Sequence, residues 1–282
     1  MSLVILFGVY LFLFSPPSNF PSDSIVVVAQ GASAPEISEE LAKAHVVAHP
    51  LILRVILRVS GTSSHIQSGA YRFEKPQNIF VIAYRLVTGD FNLPLVRVTF
   101  PEGTTVRGVA AQVAQEFPAI SAAAFYKAGN QYEGYLFPDT YFFPTGTDTE
   151  TILKKMRSNF DTNTAPISRE IRISGHSLSD VVIMASLIEK EARTDTDKHL
   201  ISGILWNRIM FGMPLQVDAA RDTYQHTGLP KVPICNPGLE SIEAALRPTK
   251  TDYFYYLTGR DDLMHYATTF AGHQANRRKY LD

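Results

Sequence analysis

The stretch "VVIMASLIEKEA", Val181 to Ala192, restricts what this 282-residue chain can fold into more than any other segment. Ser177, with Asp180 three residues on, reads as an N-cap with an acidic first turn, and neither Gly nor Pro interrupts the run through Ala192. A helix is expected. At ~100° per residue, with Ala185 as origin, Leu178, Val181, Val182, Ile188 and Ala192 fall within roughly 60° on either side, so one face of this helix belongs in a core. Lys190 and Glu191 point well away from that face, whereas Glu189 falls at about 40°, inside the apolar stripe. A carboxylate carried into apolar surroundings either finds a partner or keeps its proton. Glu189 is therefore a candidate general acid, or else a carboxylate solvated or paired with a nearby Lys or Arg at the edge of the stripe.

With 45% hydrophobic and 19% charged residues, the chain has enough apolar surface for one large domain or two ordinary ones. A net charge of −1 offers no basic field, so nucleic acid is not an expected partner. Cys235 is the single cysteine, which excludes an intrachain disulfide framework and a cysteine-rich zinc site, and it is expected to be a small buried side chain. At the N-terminus the apolar run "LVILFGVYLFLF", Leu3 to Phe14, meets the Pro/Ser-rich spacer "SPPSNFPSDS". Twelve residues make a helix of about 18 Å, short of the ~30 Å hydrocarbon core. Residues 1–16 thus read as the remnant of a membrane anchor or a signal-peptide core, with a buried terminal helix as the alternative. No Lys or Arg precedes Lys43, so the positive-inside rule does not orient the segment.

Two segments share a pattern 72 positions apart. "IVVVAQGASAPEISEELAKA" and "VRVTFPEGTTVRGVAAQVAQ" align Val26 with Val98, Val28 with Phe100, Gly31 with Gly103, Ser33 with Thr105, Ile37 with Val109 and Leu41 with Val113. Each reads as a strand, a Gly turn, a hydroxyl cap and an amphipathic helix. A second helix in "HPLILRVILRV", then a strand and a third helix ending before Gly89, complete a small α+β module over about residues 24–92. The remainder reads as a mixed α/β domain. Its aromatic segment "YEGYLFPDTYFFPTG" is expected as loop or short strands, followed by helices near 150–160, at Glu189 and near 198–211. A Pro/Gly-rich stretch, a short helix in "SIEAALRP", a strand in "DYFYYLTG" and a terminal helix close the chain. The fold class expected is α+β.

Among the eight His residues there is no H-x-x-x-H spacing, and His265 and His273 lie eight apart, so metal is weakly indicated and none is expected. Neither G-x-S-x-G nor S-x-x-K occurs, and no Gly-rich phosphate loop is present, which leaves serine nucleophiles and nucleotide cofactors without a signature. What remains is carboxylates among aromatics and amides. Glu133, Asp139, Glu189, Asp218 and Glu240 stand beside Tyr, Phe, Asn, Gln or turn residues, the side chains that line carbohydrate grooves. Each also has a structural reading: "PDTY" as an Asx turn, "NPG" as a tight turn.

The ordered motifs "YEGYLFPDTYFF", "MASLIEKEA", "ILWNRIMFGMPLQVDA", "GLPKVPICNPGLESIEAALRPTKTDYFYYL" and "MHYATTFAGH" resemble those of the endolytic murein transglycosylases, the MltG or YceG-like family, from about residue 24 to the end. The resemblance implies a LysM-like subdomain at residues 17–93, a YceG-like catalytic domain at 94–282 and a single N-terminal membrane anchor. It places the catalytic acid at the first Glu of A-S-[IL]-[IV]-E-K-E, here Glu189. It carries Glu133, Asp139, Gln216, Asp218, Tyr224, Asn236, Ser241 and His265 over as residues lining the groove or supporting the acid.

The activity it implies is lytic cleavage of the MurNAc–GlcNAc bond of nascent peptidoglycan, leaving 1,6-anhydroMurNAc ends and terminating strand growth. No cofactor is implied. The expected partners are glycan strands and cell-wall synthases (penicillin-binding proteins), on the outer face of the bacterial cytoplasmic membrane. One departure stands out: "LQVDAARDTYQHTGLP" passes almost directly from the LQxD motif to GLP, where the family usually has a longer segment with "YNTY". Two alternatives remain open. One is a glycan-binding homologue without turnover, and the other is a hydrolytic muramidase using Asp218 or Glu133 as a second carboxylate.

Overall fold

The computed structural model describes Gly8, Tyr10, residues 12–29 and residues 31–282. It divides into two compact units, one comprising the chain up to Arg97 with Phe142–Asp148, the other Val98–Tyr141 with Thr149–Asp282.

The first unit is built from β1 (Ser24–Val28), α1 (Ala34–Lys43), α2 (Pro50–Val59), β2 (Gly69–Phe73) and α3 (Ile79–Thr88). The strands pair antiparallel, with Ser24 opposite Phe73 and Val28 opposite Gly69. Helices α1 and α2 begin with Pro in the first turn, where its missing N–H costs nothing. Gly89 stops α3 in the left-handed conformation. The apolar faces meet in one core around Leu41, Leu53, Leu57, Tyr71, Phe73 and Leu86. The apolar run Leu3–Phe14 lies largely outside the described residues. Of its described part, Phe12 contacts the His49 ring and Phe14 stacks on Phe80. Among the described residues no single helix is long and apolar enough to cross a membrane.

Strand β3 (Leu95–Thr99) leads into α4 (Val106–Glu116) and α5 (Ala122–Gly129) before β4 (Thr140–Pro144), with which it pairs. Then come α6 (Thr149–Thr164), α7 (Ser168–Ser174), α8 (Leu178–Glu191), α9 (Asp195–Met210) and α10 (Leu239–Leu246). The antiparallel hairpin of β5 (Tyr255–Thr258) and β6 (Met264–Ala267) precedes α11 (Phe270–Tyr280). The 72-residue offset read from the sequence corresponds to matched local structure. Gly31 and Gly103 turn at φ 73° and 75°, Ser33 and Thr105 accept the capping N–H, and Ile37, Val109, Leu41 and Val113 are all buried.

Helix α8 is more deeply placed than a one-sided stripe requires. Every residue from Val181 to Ile188 is buried, including Ile183, Met184 and Ser186 off the expected face, because α9 and α10 both pack against it. Leu178, expected in the stripe, is exposed in the first turn. The sequence pattern gives no hint of α5 or α7. It also gives α6 too short, as residues 150–160, since Asn and Thr near its end weaken the helical signal.

Candidate active site

The Ser177 capping box starts α8 and the buried run holds it rigid, so the last turn projects Glu189 at a fixed point. Its side chain is 9% exposed. The carboxylate has found partners: Oε2 accepts from the Gly238 N–H at 3.0 Å and the Ser241 hydroxyl at 2.7 Å. Gly238 is the N-cap of α10 and Ser241 lies in its first turn, so the carboxylate sits at a helix N-terminus. That end of a helix favours negative charge. The other oxygen, Oε1, faces the Lys198 ammonium of α9 at 4.0 Å and has no hydrogen bond among the described residues. One oxygen is thus anchored, and the other has the ammonium as its neighbour.

Asn236 holds the backbone that presents Gly238. Its Oδ1 accepts from Leu136 N at 2.9 Å and its Nδ2 donates to Thr104 O at 2.8 Å. Its main chain exchanges bonds with Gly103 and Thr104. Gly103 turns at φ 75°, the left-handed region that favours glycine, and an added Cβ there would lie 3.5 Å from Glu189 Cγ, at contact distance. Glu133 closes the same network, accepting from Val106 N at 3.0 and 3.1 Å, where it caps α4. Burial raises its carboxyl above the ordinary range, opposed by that N–H and by Lys190. Cys235, next to Asn236, is fully buried against Ser186 O, and burial pushes its thiol up to about 12.

Gln216, Asp218 and Tyr224 lie elsewhere on the unit, around a cavity of about 610 Å³ lined also by Glu191, Arg208, Tyr256 and His273. The short Asp218–Tyr224 segment folds on itself. Thr223 Oγ1 accepts from Val217 N, Gln216 N donates to Thr223 O, and the Tyr224 hydroxyl donates to Asp218. Glu191 accepts from the Tyr256 hydroxyl at 3.1 Å, and burial raises its carboxyl, with that bond opposing. Arg208 is buried, donating to Phe254 O and Leu215 O.

The remaining candidates are not brought to Glu189. Asp139 is exposed and accepts from Thr140 N and Asn159 Nδ2, tying the aromatic segment to α6. His265 pairs with Asp261 at 3.1 Å and stacks on Tyr280. Glu240 is exposed in the first turn of α10. The sequence pattern missed Lys198, Glu191, Arg208 and Tyr256. For Glu191 a signal existed: two residues beyond Glu189 is a rotation of about 200°, toward the opposite side of α8.

A carboxylate fixed by a helix N-terminus, with its second oxygen beside an ammonium, is a candidate acid–base site on a mixed α/β unit. The chain belongs to the YceG-like family, which matches residues 26–221 and 222–279. It is 28% identical to an endolytic murein transglycosylase of Bacillus subtilis, over 90% of this chain and 84% of that one. It is 25% identical to one of Streptococcus pneumoniae over 91% of this chain, and it spans 58% of that relative's length. A YceG-like protein of Listeria monocytogenes, solved by crystallography, superimposes with a TM-score of 0.58 at 25% identity, covering 90% of this chain and 99% of that one.

Proposed function

We propose that this chain is an endolytic lytic transglycosylase of peptidoglycan, with Glu189 as its single acid and base. The observation that carries the reading is the Glu189 carboxyl, held at Oε2 by Gly238 and Ser241 while Oε1 faces Lys198. The names of the Bacillus and Streptococcus relatives support the substrate class. In the proposed cycle Glu189 gives its proton to the oxygen linking MurNAc to GlcNAc, and the C1–O bond breaks. The charge left on the carboxylate is opposed by the α10 N-terminus and by Lys198. The same carboxylate then takes the proton of the MurNAc C6 hydroxyl as that oxygen bonds to C1, giving a 1,6-anhydro ring without consuming water. Acid–base catalysis of this kind contributes about 10²–10⁴-fold.

In this account Asn236 and Glu133 fix the backbone that carries Gly238, and Gln216, Asp218 and Tyr224 bind a distal part of the glycan in their cavity. Asp139 and His265 serve the surrounding architecture. Residues 17–93 act as a LysM-like subdomain and the N-terminal apolar run as an anchor. The enzyme then works on nascent strands at the outer face of the cytoplasmic membrane and ends their growth beside cell-wall synthases. Glu189→Gln, which keeps the shape and an acceptor oxygen, tests the assignment: anhydro-product formation ceases while glycan binding persists.

One observation favours a second reading. Glu191, with its raised carboxyl, lines the 610 Å³ cavity with Arg208 and Asp218. If Glu191 were the acid, Glu191→Gln would abolish turnover and Glu189→Gln would only weaken it.

A further inference from the structure

Two helices of the first unit turn apolar residues outward. On α2 the exposed residues are Leu51, Val55, Arg58 and Val59, and on α3 they are Phe80, Val81, Tyr84 and Thr88. Leu51, Val55 and Val59 follow at four-residue spacing, so they form a stripe about 80° wide on the side of α2 opposite the buried Leu53 and Leu57. The side of a helix that faces water ordinarily carries charged and polar residues. Here it is mainly apolar on two helices that pack against each other, and exposed apolar residues gathered in this way mark an interaction surface.

The N-terminal apolar run is fastened to the same two helices. His49, the N-cap of α2, donates from Nε2 to the Phe12 carbonyl at 3.0 Å, and its ring lies 5.0 Å from the Phe12 ring. Phe14 stacks on Phe80 in the first turn of α3, with centroids 4.9 Å apart. Phe12 itself is 70% exposed. The charges in this part of the chain are mostly of one sign. Between Glu40 and Asp90 the only carboxylate is Glu74, against six Lys and Arg residues. Arg54 pairs with Glu39, Arg72 with Asp23 and Glu74, and the buried Arg85 with Asp90. Arg58 on α2 and Lys75 just before α3 have no ion pair among the described residues.

We propose that the outward faces of α2 and α3 are a second membrane contact, resting on the boundary between acyl chains and headgroups of an anionic bilayer. The proposal rests on the reading of the N-terminal apolar run as membrane-embedded. A segment inserted in lipid and fastened to α2 and α3 at Phe12 and Phe14 holds both helices at the bilayer surface, where an apolar helix face is buried by lipid. Arg58 lays its stem along that face and extends its charge to the phosphates, and the Tyr84 ring suits the same depth. A second copy of the chain fits the face worse. In a two-fold pairing the same patch meets itself, so Arg58 and Lys75 would meet only further cations, since α2 and α3 contain no carboxylate. Anionic headgroups supply the missing charge.

The test mixes the full chain with vesicles of phosphatidylethanolamine and phosphatidylglycerol. A bimane label, whose emission reports its surroundings, is placed on Val55→Cys, on Tyr84→Cys or, as control, on Glu40→Cys of the acidic helix α1. Cys235 is fully buried and does not compete for the label. Flotation of the chain with the vesicles reports the anchor reading, and quenching by lipids brominated in their acyl chains reports the proposed surface. The expected result is a blue shift and a bromolipid-dependent loss of emission from Val55→Cys and Tyr84→Cys, with neither from Glu40→Cys. A chain that floats while both labels stay in water overturns the proposal and leaves the anchor reading standing. Labels that shift to the blue without quenching show that protein covers the face, either a second copy or the rest of the apolar run, and overturn it as well. A chain that does not float sinks the anchor reading and the proposal with it.

Discussion

Glu189 takes both of its hydrogen bonds from α10, at separations of 49 and 52 residues along the chain. A hydrogen bond to a charged group contributes about 1.5–3 kcal/mol. Ser241→Ala should therefore lower kcat about ten- to hundredfold if that bond strengthens as charge develops on Glu189. Steady-state rates show this as a loss in kcat with KM held. Glu191 makes a prediction about stability. Its carboxyl is raised in the folded state, so its contribution is fully present below the ordinary value of 4.5 and is lost as pH rises through the raised one. Glu191→Gln does not titrate, so its thermal midpoint should gain on the parent's as pH climbs from about 4, and the gap should then level off. A gap independent of pH contradicts this. Cys235, with its buried thiol, should resist alkylation at neutral pH except at the rate of unfolding, as mass spectrometry of iodoacetamide-treated protein reports. Helix phase alone singles out Glu189. Ser241 comes from the family resemblance and not from the pattern of the residues; Gly238 and Lys198 are not legible, because Gly238 reaches the carboxylate only through the tertiary packing of α10 on α8 and Lys198 looks in the sequence like an ordinary polar residue of a helix start.

Local signals carry most of the elements. The hydroxyl caps at Ser33 and Thr105 and the turn glycines Gly31 and Gly103 are short-range features, so the two strand–turn–helix units appear in the sequence as they appear in space. Ser33→Ala and Thr105→Ala should each cost about 1 kcal/mol, read as the shift in a urea unfolding midpoint. Thr105 has a second consequence, because Glu133 caps the same helix from 27 residues away and shares the load. Asn236→Ala should cost more, about 1–3 kcal/mol, since it leaves the buried Leu136 N–H without its partner and takes from the Thr104 carbonyl one of its two donors, the Asn236 backbone N–H remaining. The pairing of β3 with β4 and the burial of α8 on every face escape sequence reasoning for one reason. Both are set by segments distant in the chain, and neither leaves a period in the residues themselves.

At the scale of the molecule the family's pattern and the geometry meet on one helix end. The Asp218–Tyr224 segment closes into a tight turn with Tyr224 on Asp218, and both line a cavity beside Glu191. Asp218 and Glu133, the two carboxylates that a hydrolytic mechanism would recruit, are engaged with Tyr224 and with the α4 N-terminus. The proposed single-carboxylate route recruits neither of them. Mass spectrometry of purified peptidoglycan digested by the full chain, beside Glu189→Gln, tests this most directly. The account predicts internal cleavage with 1,6-anhydro ends from the parent and none from the variant. Reducing-end MurNAc from the parent, or anhydro ends that persist in Glu189→Gln, would contradict it.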